Sequence, residues 1–253
     1  MLKTRVIPAL LLKDRGLVKT VKFKDPAYVG DPVNVIRIFN EKEVPELILL
    51  DIGATRRSRR PQLEIIKQVA SECFMPLAYG GGVRDLEDLR AIFNLGVEKV
   101  ALNTRAVEDP SLLTRAAEVF GSQSLVAALD VKKSLFGRYE VHTHGGGRNT
   151  KQDPVETARA LERAGAGEIL LTSMDRDGTM SGYDLELIRR VAEAVRVPVI
   201  ACGGAGRVED FGAAVCQGGA SAVAAGSMVV FQGKARGVLI NYPSRERLKK
   251  ELS

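Results

Sequence analysis

Two glycine clusters in this sequence could bind phosphate groups. Residues 80–82 (GGG) directly follow one short apolar run, and residues 203–206 (GGAG) follow another. Backbone N–H groups that no Cβ atom obstructs can converge on an anion, especially where a helix begins. The polar pairs Asn103-Thr104 and Gly226-Ser227 follow two further apolar runs and could complete a site on each side. The pattern predicts two phosphate-binding sites, and the same glycines would also permit tight turns without any ligand.

Four aspartates follow apolar runs in the same way and could carry acid/base chemistry. Asp51 and Asp130 end two of the runs, and Asp175 and Asp177 lie in the segment DRDG after a third. A carboxylate at the carboxyl end of a barrel strand points toward the site where catalysis occurs in that fold. We therefore predict Asp130 as the catalytic carboxylate. For Asp51 and Asp175, helix capping or loop hydrogen bonds are an equal alternative.

These residues need a scaffold of parallel strands, and the rest of the sequence predicts one. Short β-branched or Leu-rich runs alternate with amphipathic stretches long enough for crossover helices, which is the pattern of successive βα units. At 253 residues the chain suits a single (β/α)8 TIM barrel, an α/β fold. The predicted strands are 4–11, 47–52, 76–79, 99–102, 125–129, 168–172, 198–201 and 222–225. The predicted helices are 31–42, 60–73, 85–95, 110–120, 153–164, 184–195, 208–217 and 244–251.

The second half of the sequence echoes the first. Residues 45–54 (PELILLDIGA) resemble residues 167–176 (GEILLTSMDR), and PLAYGGGV from residue 76 resembles PVIACGGAG from residue 198, at an offset of 198 − 76 = 122. The repeat predicts two half-barrels, roughly residues 1–122 and 123–253, within one domain that spans residues 1–253.

The segment 131–150 interrupts the alternation of strands and helices. It contains an alternating stretch bounded by glycines, VKKSLFGRYEVHTHGGG, which predicts a β-hairpin in the fifth βα loop. Such an insertion would lie at the face of the barrel where the active site is expected. His142 and His144 alternate along this stretch, and we expect both side chains to be exposed to solvent.

The composition argues against several classes of protein. No apolar run reaches the roughly 18 to 20 residues of a membrane helix and the N-terminus lacks a signal-peptide cleavage site, so we expect a cytoplasmic protein. A net charge of +6 with 5% aromatic residues and no Trp argues against nucleic-acid binding. The three cysteines lie in no metal-ligand pattern, and we expect neither a metal nor a cofactor. The arginines of residues 56–60 are expected at a loop tip in solvent, with contact to an anionic substrate or partner as the alternative.

Longer motifs carry a family resemblance. The sequence closely resembles the HisF family, the cyclase subunits of imidazole glycerol phosphate synthase, over nearly its whole length, in the motifs VIPALLLKD, LLDIGA, YGGGVRDLEDL, GVEKVALNT, VEDPSL, FGSQSLVAALDVK, GAGEILLTSMDRDGTMSGYD and VPVIACGGAG. The resemblance implies a barrel that receives ammonia from a glutaminase docked on its N-terminal face. It also implies that ammonia passes through the barrel core to a substrate bound at the C-terminal face.

The resemblance assigns individual residues to these roles. The family's phosphate contacts correspond to Gly82, Asn103 and Thr104 on one side, and to Asp177, Gly178, Gly204 and Ser227 on the other. Its ring of charged residues at the ammonia entry corresponds to Arg5, Glu46, Lys99 and Glu168. Alternating charges can satisfy one another when buried, whereas an isolated buried charge would be costly. A stabilising network without a conduit is the alternative interpretation.

One position departs from the family pattern. The family pairs an aspartate that ends strand one with an aspartate that ends strand five, and the first position here is Leu11. Because leucine has no titratable proton, the two-carboxylate proton transfer that cyclisation requires cannot run in its usual form. The chain therefore resembles the HisF-type paralogues of bacterial surface-sugar (lipopolysaccharide O-antigen) pathways, as does its C-terminal stretch VVFQGKARGVLINYPSRE.

The paralogue resemblance implies a glutamine-dependent complex that turns an N-acetyl group of a nucleotide-activated sugar into an acetamidino group. The expected partners are a HisH-like glutaminase, a third amidotransferase protein, and a phosphorylated or nucleotide-sugar ligand. Asp130 would act as a proton acceptor or would orient the substrate. Two alternatives stay open. One is a true imidazole glycerol phosphate synthase subunit in which Asp51 or Asp175 replaces the missing carboxylate, and the other is a non-catalytic scaffold that activates the glutaminase.

Overall fold

The computed structural model describes residues 4–233 and 235–252 of the chain. The outermost residues of the predicted domain, and Lys234 of the C-terminal stretch, lie outside the described residues. The strands are β1 (Arg5–Lys13), β2 (Gly16–Val21), β3 (Lys24–Gly30), β4 (Leu47–Asp51), β5 (Leu77–Gly80), β6 (Lys99–Leu102), β7 (Leu125–Lys133), β8 (Tyr139–Thr143), β9 (Arg148–Asn149), β10 (Glu168–Ser173), β11 (Val199–Cys202), β12 (Ala222–Ala225), β13 (Phe231–Gln232) and β14 (Gly237–Val238). The α-helices are α1 (Pro32–Glu41), α2 (Leu63–Glu72), α3 (Leu86–Phe93), α4 (Thr104–Glu108), α5 (Ser111–Phe120), α6 (Pro154–Arg163), α7 (Leu185–Ala192), α8 (Glu209–Cys216) and α9 (Arg245–Leu252).

In this described part of the chain, eight parallel strands close into a barrel. Around the barrel the order is β10, β11, β12, β1, β4, β5, β6 and β7, and β7 pairs with β10 to complete the circle. Every neighbouring pair in this circle is parallel, so each connection crosses over the outside of the barrel and carries a helix. The prediction of a (β/α)8 barrel is confirmed.

Capping side chains explain where several helices begin. Asp31 and Asp153 accept hydrogen bonds from first-turn N–H groups of α1 and α6, and each precedes a proline at the first helical position. Asp85 and Asp184 cap α3 and α7 in the same way. The eight predicted helices are present with bounds that differ by a few residues, while α4 was not predicted. None of the helices in the described residues combines the length and apolar content needed to cross a bilayer.

The apolar core forms two layers because strand side chains alternate between the two faces of the barrel wall. Along β1, Val6 and Leu10 point outward into the layer between strands and helices. Ile7 and Ala9 point inward and pack with the side chains of the barrel interior, including Ile48. Among the described residues, the buried members of this interior cluster are Ala, Val, Leu and Ile. The centre of the barrel is therefore apolar along its axis.

The first and fifth βα loops carry antiparallel hairpins at the carboxyl face of the barrel. The predicted hairpin within 131–150 is confirmed, since β7 continues past the barrel and pairs with β8. The hairpin of β2 and β3 was not predicted. There β1 extends to Lys13, Leu11 pairs with Val18 of β2, and Lys22 and Phe23 turn with positive φ angles of 52° and 63°. The sequence does not predict this turn, because residues with positive φ are usually glycines and neither of these is one.

Candidate active site

A cavity of about 830 Å³ opens at the carboxyl ends of the barrel strands. Every residue that the family resemblance assigned to phosphate binding lines this cavity, as does Asp130. The residues form two groups. The Gly82 site (Gly82, Asn103 and Thr104) follows β5 and β6, and the Gly204 site (Asp177, Gly178, Gly204 and Ser227) follows β10, β11 and β12. Because β5 and β6 lie across the circle from β11 and β12, the two sites face each other and suit a ligand with anionic groups at both ends.

The backbone of the Gly82 site can only be formed by glycine. Gly82 has a φ of +75°, and a Cβ atom there would lie 2.7 Å from the carbonyl oxygen of Arg59. The Asn103 side-chain amide donates to the carbonyl oxygen of Ala128 at 2.9 Å, and α4 begins at the next residue. The first N–H groups of a helix lack intrahelical acceptors, so they are available to an anion. The tight-turn role of the glycines and an anion site are therefore compatible.

The Gly204 site has the same backbone pattern at the repeat offset. Gly203 and Gly204 have φ angles of +89° and +115°, and they correspond to Gly81 and Gly82 at 204 − 82 = 122. Asp177 differs from an ordinary phosphate contact, because its carboxylate accepts from the Thr20 hydroxyl at 2.9 Å and its N–H donates to the Ser173 carbonyl oxygen at 2.9 Å. These bonds make Asp177 an anchor for the β2–β3 hairpin over the cavity.

Asp130 is the carboxylate best placed for proton transfer. It points from β7 into the cavity, and the Asn103 amide approaches its Oδ2 atom at 3.4 Å. Burial, together with the negative charge of Asp177, raises the pKa of Asp130 to about 7. A carboxylate with a pKa near neutrality can both accept and return a proton at the pH of the cell.

Leu11 faces the same cavity from β1, which lies across the circle from β7. The side chain is half-buried. The two carboxylates considered as substitutes both make hydrogen bonds to backbone N–H groups. Asp51 lines the cavity and accepts from the N–H groups of Gly53 and Ala54 at 2.9 and 3.0 Å, so it also stabilises the loop after β4. Asp175 accepts from the Lys133 N–H at 2.9 Å and does not line the cavity.

Lys19 is a cavity residue that the sequence analysis missed. It lies on β2, is 6% exposed, and donates from its Nζ atom to the carbonyl oxygen of Ala9. Burial lowers the pKa of Lys19 to about 8, although the negative charge of Asp177 opposes this shift. A signal was present in the segment LVKTV, where a lysine interrupts apolar residues. This signal alone could not place Lys19 in the cavity, because its position depends on the unpredicted hairpin that brings β2 over the barrel.

The buried lysine predicts a pH dependence of stability. Because the pKa of Lys19 is lower in the folded chain than its ordinary value of 10.5, the unfolded chain binds more protons between about pH 8 and pH 10.5. Stability must therefore rise with pH in that window. We expect the free energy of unfolding of the wild type, relative to Lys19→Met, to rise by on the order of 3 kcal/mol between about pH 7 and pH 10.5.

Urea denaturation of both proteins across this pH range measures the effect. The matched control is Lys24→Met, because Lys24 is exposed on the neighbouring strand β3. This control should follow the wild type at each pH. Parallel curves for the wild type and Lys19→Met would show that the folded chain holds Lys19 at its ordinary pKa.

The four residues assigned to the ammonia entry form a closed ring of ion pairs at the opposite end of the barrel. Arg5, Lys99 and Glu168 begin β1, β6 and β10, and Glu46 directly precedes β4. Arg5 bonds to Glu46 and to Glu168, the latter at 2.7 Å. Lys99 lies 3.0 Å from Glu46 and 3.1 Å from Glu168. We call this arrangement the charged ring; its charges alternate, so each side chain contacts two of opposite sign.

One expectation about side-chain exposure is corrected. His142 is half-buried rather than exposed, because the hairpin folds back over the barrel and its Nδ1 atom lies 3.3 Å from the Gly146 carbonyl oxygen. The His144 side chain remains 40% exposed, and its backbone N–H donates to the Thr104 hydroxyl at 2.9 Å.

The arginine-rich loop is exposed, as expected, at Arg56, Arg57 and Arg60. Arg56, Arg57 and Arg59 also line the cavity, which is compatible with the alternative of contact to an anionic ligand.

No metal site was predicted, and none of the described residues form a group of three or more His, Cys, Asp or Glu side chains placed to bind an ion. In the cavity, Asp130 and Lys19 could exchange protons, and the backbone N–H groups of the two sites and the surrounding arginines could bind anions.

Comparisons with known proteins agree with this geometry. A family model described as "Histidine biosynthesis protein" matches residues 5–236. The "Putative imidazole glycerol phosphate synthase subunit hisF2" of Pseudomonas aeruginosa is 57% identical over 98% of this chain and 99% of that protein. The "Putative imidazole glycerol phosphate synthase subunit hisF3" of Vibrio vulnificus is 48% identical over 100% and 97%. The "Imidazole glycerol phosphate synthase subunit HisF" of Hyphomonas neptunium is 50% identical over 91% of each. The chain therefore belongs to the HisF family of histidine biosynthesis proteins.

Proposed function

We propose that this barrel is the ammonia-conducting subunit of a glutamine-dependent amidotransferase complex. In this complex it supplies ammonia for the acetamidino modification of a nucleotide-activated surface sugar. A HisH-like glutaminase releases the ammonia at the face that carries the charged ring. A third amidotransferase protein works at the opposite face with the sugar ligand. The complex acts in the cytoplasm, where activated sugars and glutamine are available.

The barrel interior supports the proposed path of ammonia. The charged ring occupies the amino ends of the strands, and the cavity with Asp130 occupies the carboxyl ends. Between them lies the apolar interior cluster, which includes the small side chains of Ala78, Ala101 and Ala128. An apolar passage admits neutral ammonia and excludes ammonium, because an isolated charge is costly to desolvate.

The observation that carries the choice of reaction is Leu11. An aliphatic side chain faces the cavity from β1, opposite the strand that holds Asp130. General acid/base catalysis contributes roughly 10²- to 10⁴-fold for each group, so the absence of one of two cooperating carboxylates weakens cyclisation severely. In a complex with a third amidotransferase protein, the barrel supplies the phosphate sites, the ammonia path and one carboxylate, Asp130, as a proton acceptor.

Two of the three described cysteines support a separate glutaminase. Cys202 lines the cavity, but burial raises its pKa to about 12, so it is a neutral thiol rather than a nucleophile. Burial also raises the pKa of Cys73, to about 11. Neither cysteine is in the thiolate form that glutamine hydrolysis by a Cys–His pair requires.

A second candidate function is the cyclase reaction of imidazole glycerol phosphate synthase. It is favoured by the names of the relatives and by Asp177, whose negative charge acts on Asp130 and provides a second carboxylate in the cavity. Product analysis of the purified complex with glutamine and UDP-N-acetyl sugars separates the two functions. An acetamidino sugar supports the main proposal. Turnover of the phosphorylated ribulosyl aminoimidazole precursor, without any sugar product, contradicts it.

The leucine at position 11 also predicts that a substitution there can produce a gain of function. We expect Leu11→Asp to raise ammonia-dependent cyclisation of the same precursor by about tenfold, because it returns a titratable group to the face opposite Asp130. This gain is at most the lower end of the usual contribution of such a group. The assay follows product formation at steady state with ammonium as the nitrogen source.

The control for this experiment is Leu11→Asn, which has nearly the same shape as the aspartate but no titratable proton. It should not exceed the wild-type rate. A wild-type rate equal to that of Leu11→Asp would mean that Leu11 does not limit cyclisation, and the histidine pathway would become the better assignment.

A further inference from the structure

The positive charge around the cavity is concentrated on one side. Arg56 and Arg59 lie in the loop after β4, Arg84 follows β5, and Arg105 lies in α4 after β6. All four side chains line the cavity, and these three loops surround the Gly82 site. The side of the Gly204 site has fewer basic side chains: Lys19 lies near Asp177, and the Arg236 Nη2 atom donates to the Gly178 carbonyl oxygen at 2.5 Å. The cavity is therefore electrostatically asymmetric.

Two of these arginines carry charge that no acid neutralises. The Arg56 Nη2 atom donates to the Gly145 carbonyl oxygen, and the Arg84 Nη2 atom donates to the Ser58 carbonyl oxygen at 2.5 Å. Neither has a carboxylate within ion-pair distance in the described part of the chain, whereas Arg57 in the same loop pairs with Asp14. The backbone carbonyls hold both guanidinium groups in place at the cavity without reducing their net charge.

Two further arginines have unused donors. The Nε atoms of Arg59 and Arg105 are buried and have no hydrogen-bond partner in the structure. A buried donor without a partner destabilises the folded chain, because it has lost its hydrogen bonds to water. A ligand or ordered water in this part of the cavity would satisfy them. The donors and the unpaired charges lie on the same side of the cavity.

The amount of charge exceeds what a single phosphate requires. The backbone N–H groups of the glycine turn and the side chains of Asn103 and Thr104 suffice for one phosphate group. Arg56 and Arg84 would add two full positive charges, each with planar donors that match phosphate oxygens in pairs. The additional charge is best matched by a second phosphate group joined to the first.

We propose that the Gly82 site and the adjoining arginines Arg56 and Arg84 bind a diphosphate group. This inference rests on the proposed function, in which the Gly82 site binds phosphate, and it extends that function by specifying the ligand class. The diphosphate belongs to a nucleoside diphosphate or to a free diphosphate. The guanidinium groups serve as its counter-ions, so binding requires no divalent cation.

Titration calorimetry of the full chain, in buffer with EDTA, tests the proposal with four probes: inorganic phosphate, pyrophosphate, UMP and UDP. We expect pyrophosphate and UDP to bind about tenfold or more tightly than phosphate and UMP, because each charge-assisted contact strengthens binding about tenfold. The double variant Arg56→Gln/Arg84→Gln should weaken the two diphosphates about tenfold or more. It should weaken the two monophosphates less than about threefold.

The matched control is Arg60→Gln. Arg60 lies in the same loop but bonds to Asp85 and Asp88 at 2.7 and 3.0 Å, and it does not line the cavity. Arg60→Gln removes one positive charge, half of what the double variant removes, and should leave all four affinities within about threefold. UDP affinity well above that of pyrophosphate identifies a nucleotide ligand, and equal affinities identify a free diphosphate; both outcomes support the diphosphate site.

Two other outcomes overturn the inference, and they can be told apart. If the chain binds phosphate without a preference for diphosphates, the diphosphate site is contradicted and the proposed function is not. The same is true if the double variant weakens monophosphates and diphosphates equally. Absence of binding of all four probes removes the phosphate-binding part of the proposed function as well.

Discussion

Asp130→Asn should lower ammonia-dependent product formation by roughly 10²- to 10⁴-fold, the usual contribution of one general acid or base. Asparagine keeps the shape of the side chain and its approach to Asn103, but it cannot exchange a proton. The measurement is incorporation of ¹⁵N-ammonium into product by the complete complex. Glutaminase stimulation and phosphate binding, which do not use this carboxylate, should stay within about threefold of the wild type.

The pH profile distinguishes a proton-transfer role from a structural one. If Asp130 accepts a proton, wild-type activity rises as the pH passes through about 7, the pKa that burial and the charge of Asp177 produce. The residual activity of Asp130→Asn should lack this rise. Activity of Asp130→Asn equal to that of the wild type would exclude Asp130 from the chemistry and would favour the non-catalytic scaffold.

Stability provides an internal control for this variant. Because the pKa of Asp130 is raised in the folded chain, its contribution to stability is fully present below about pH 4 and is lost as the pH rises through about 7. Asparagine carries no such cost. At pH 8, Asp130→Asn should therefore unfold at a higher urea concentration than the wild type, so a loss of activity cannot be ascribed to unfolding.

The second large effect is expected at the charged ring. Glu46→Gln should lower the free energy of unfolding by about 3 kcal/mol, because it leaves Arg5 and Lys99 with one carboxylate between them. Glu46 is 2% exposed, so water cannot replace the lost partner. Partial exposure of the two cations, 27% for Arg5 and 18% for Lys99, keeps the cost at the lower end for a broken buried pair. Urea denaturation measures it.

The control for the ring is Glu72→Gln, since Glu72 pairs with Arg37 on the surface at 3.0 Å. An exposed pair contributes little, so this variant should be close to the wild type. A Glu46→Gln protein as stable as the Glu72→Gln protein would show that the ring charges remain solvated. The role in ammonia passage has a separate readout, the ratio of glutamine-dependent to ammonia-dependent turnover, which should change in Glu46→Gln but not in Glu72→Gln.

Much of the candidate site could be predicted because the fold places short motifs at a common edge. In a parallel barrel all strands end at the same face, so residues that directly follow a strand converge without further information. Gly82, Asn103, Asp130 and Gly204 were identified in this way, and all four line the cavity. Their catalytic and binding roles stay predictions, as do the division at residue 122 and the extent of the single domain.

Features carried by the loops could not be predicted. The β2–β3 hairpin has no glycine at its turn, so the local sequence did not indicate a hairpin there. Without the hairpin, the position of Lys19 at the cavity could not be predicted. The position of the arginines of the loop after β4 at the cavity also could not be predicted. Their place at the cavity depends on contacts with distant segments, such as that between Arg56 and Gly145.

The sequence by itself determined the elements, their order and the residues that end each strand, because periodicity, capping and strand alternation act between near neighbours along the chain. It also placed Leu11 where the family has a carboxylate. Only the tertiary structure decided the closure of the charged ring, the pKa shifts of Lys19 and Asp130, and the one-sided positive charge of the cavity. Those properties depend on burial and on distances between residues far apart in sequence, and folding alone creates them.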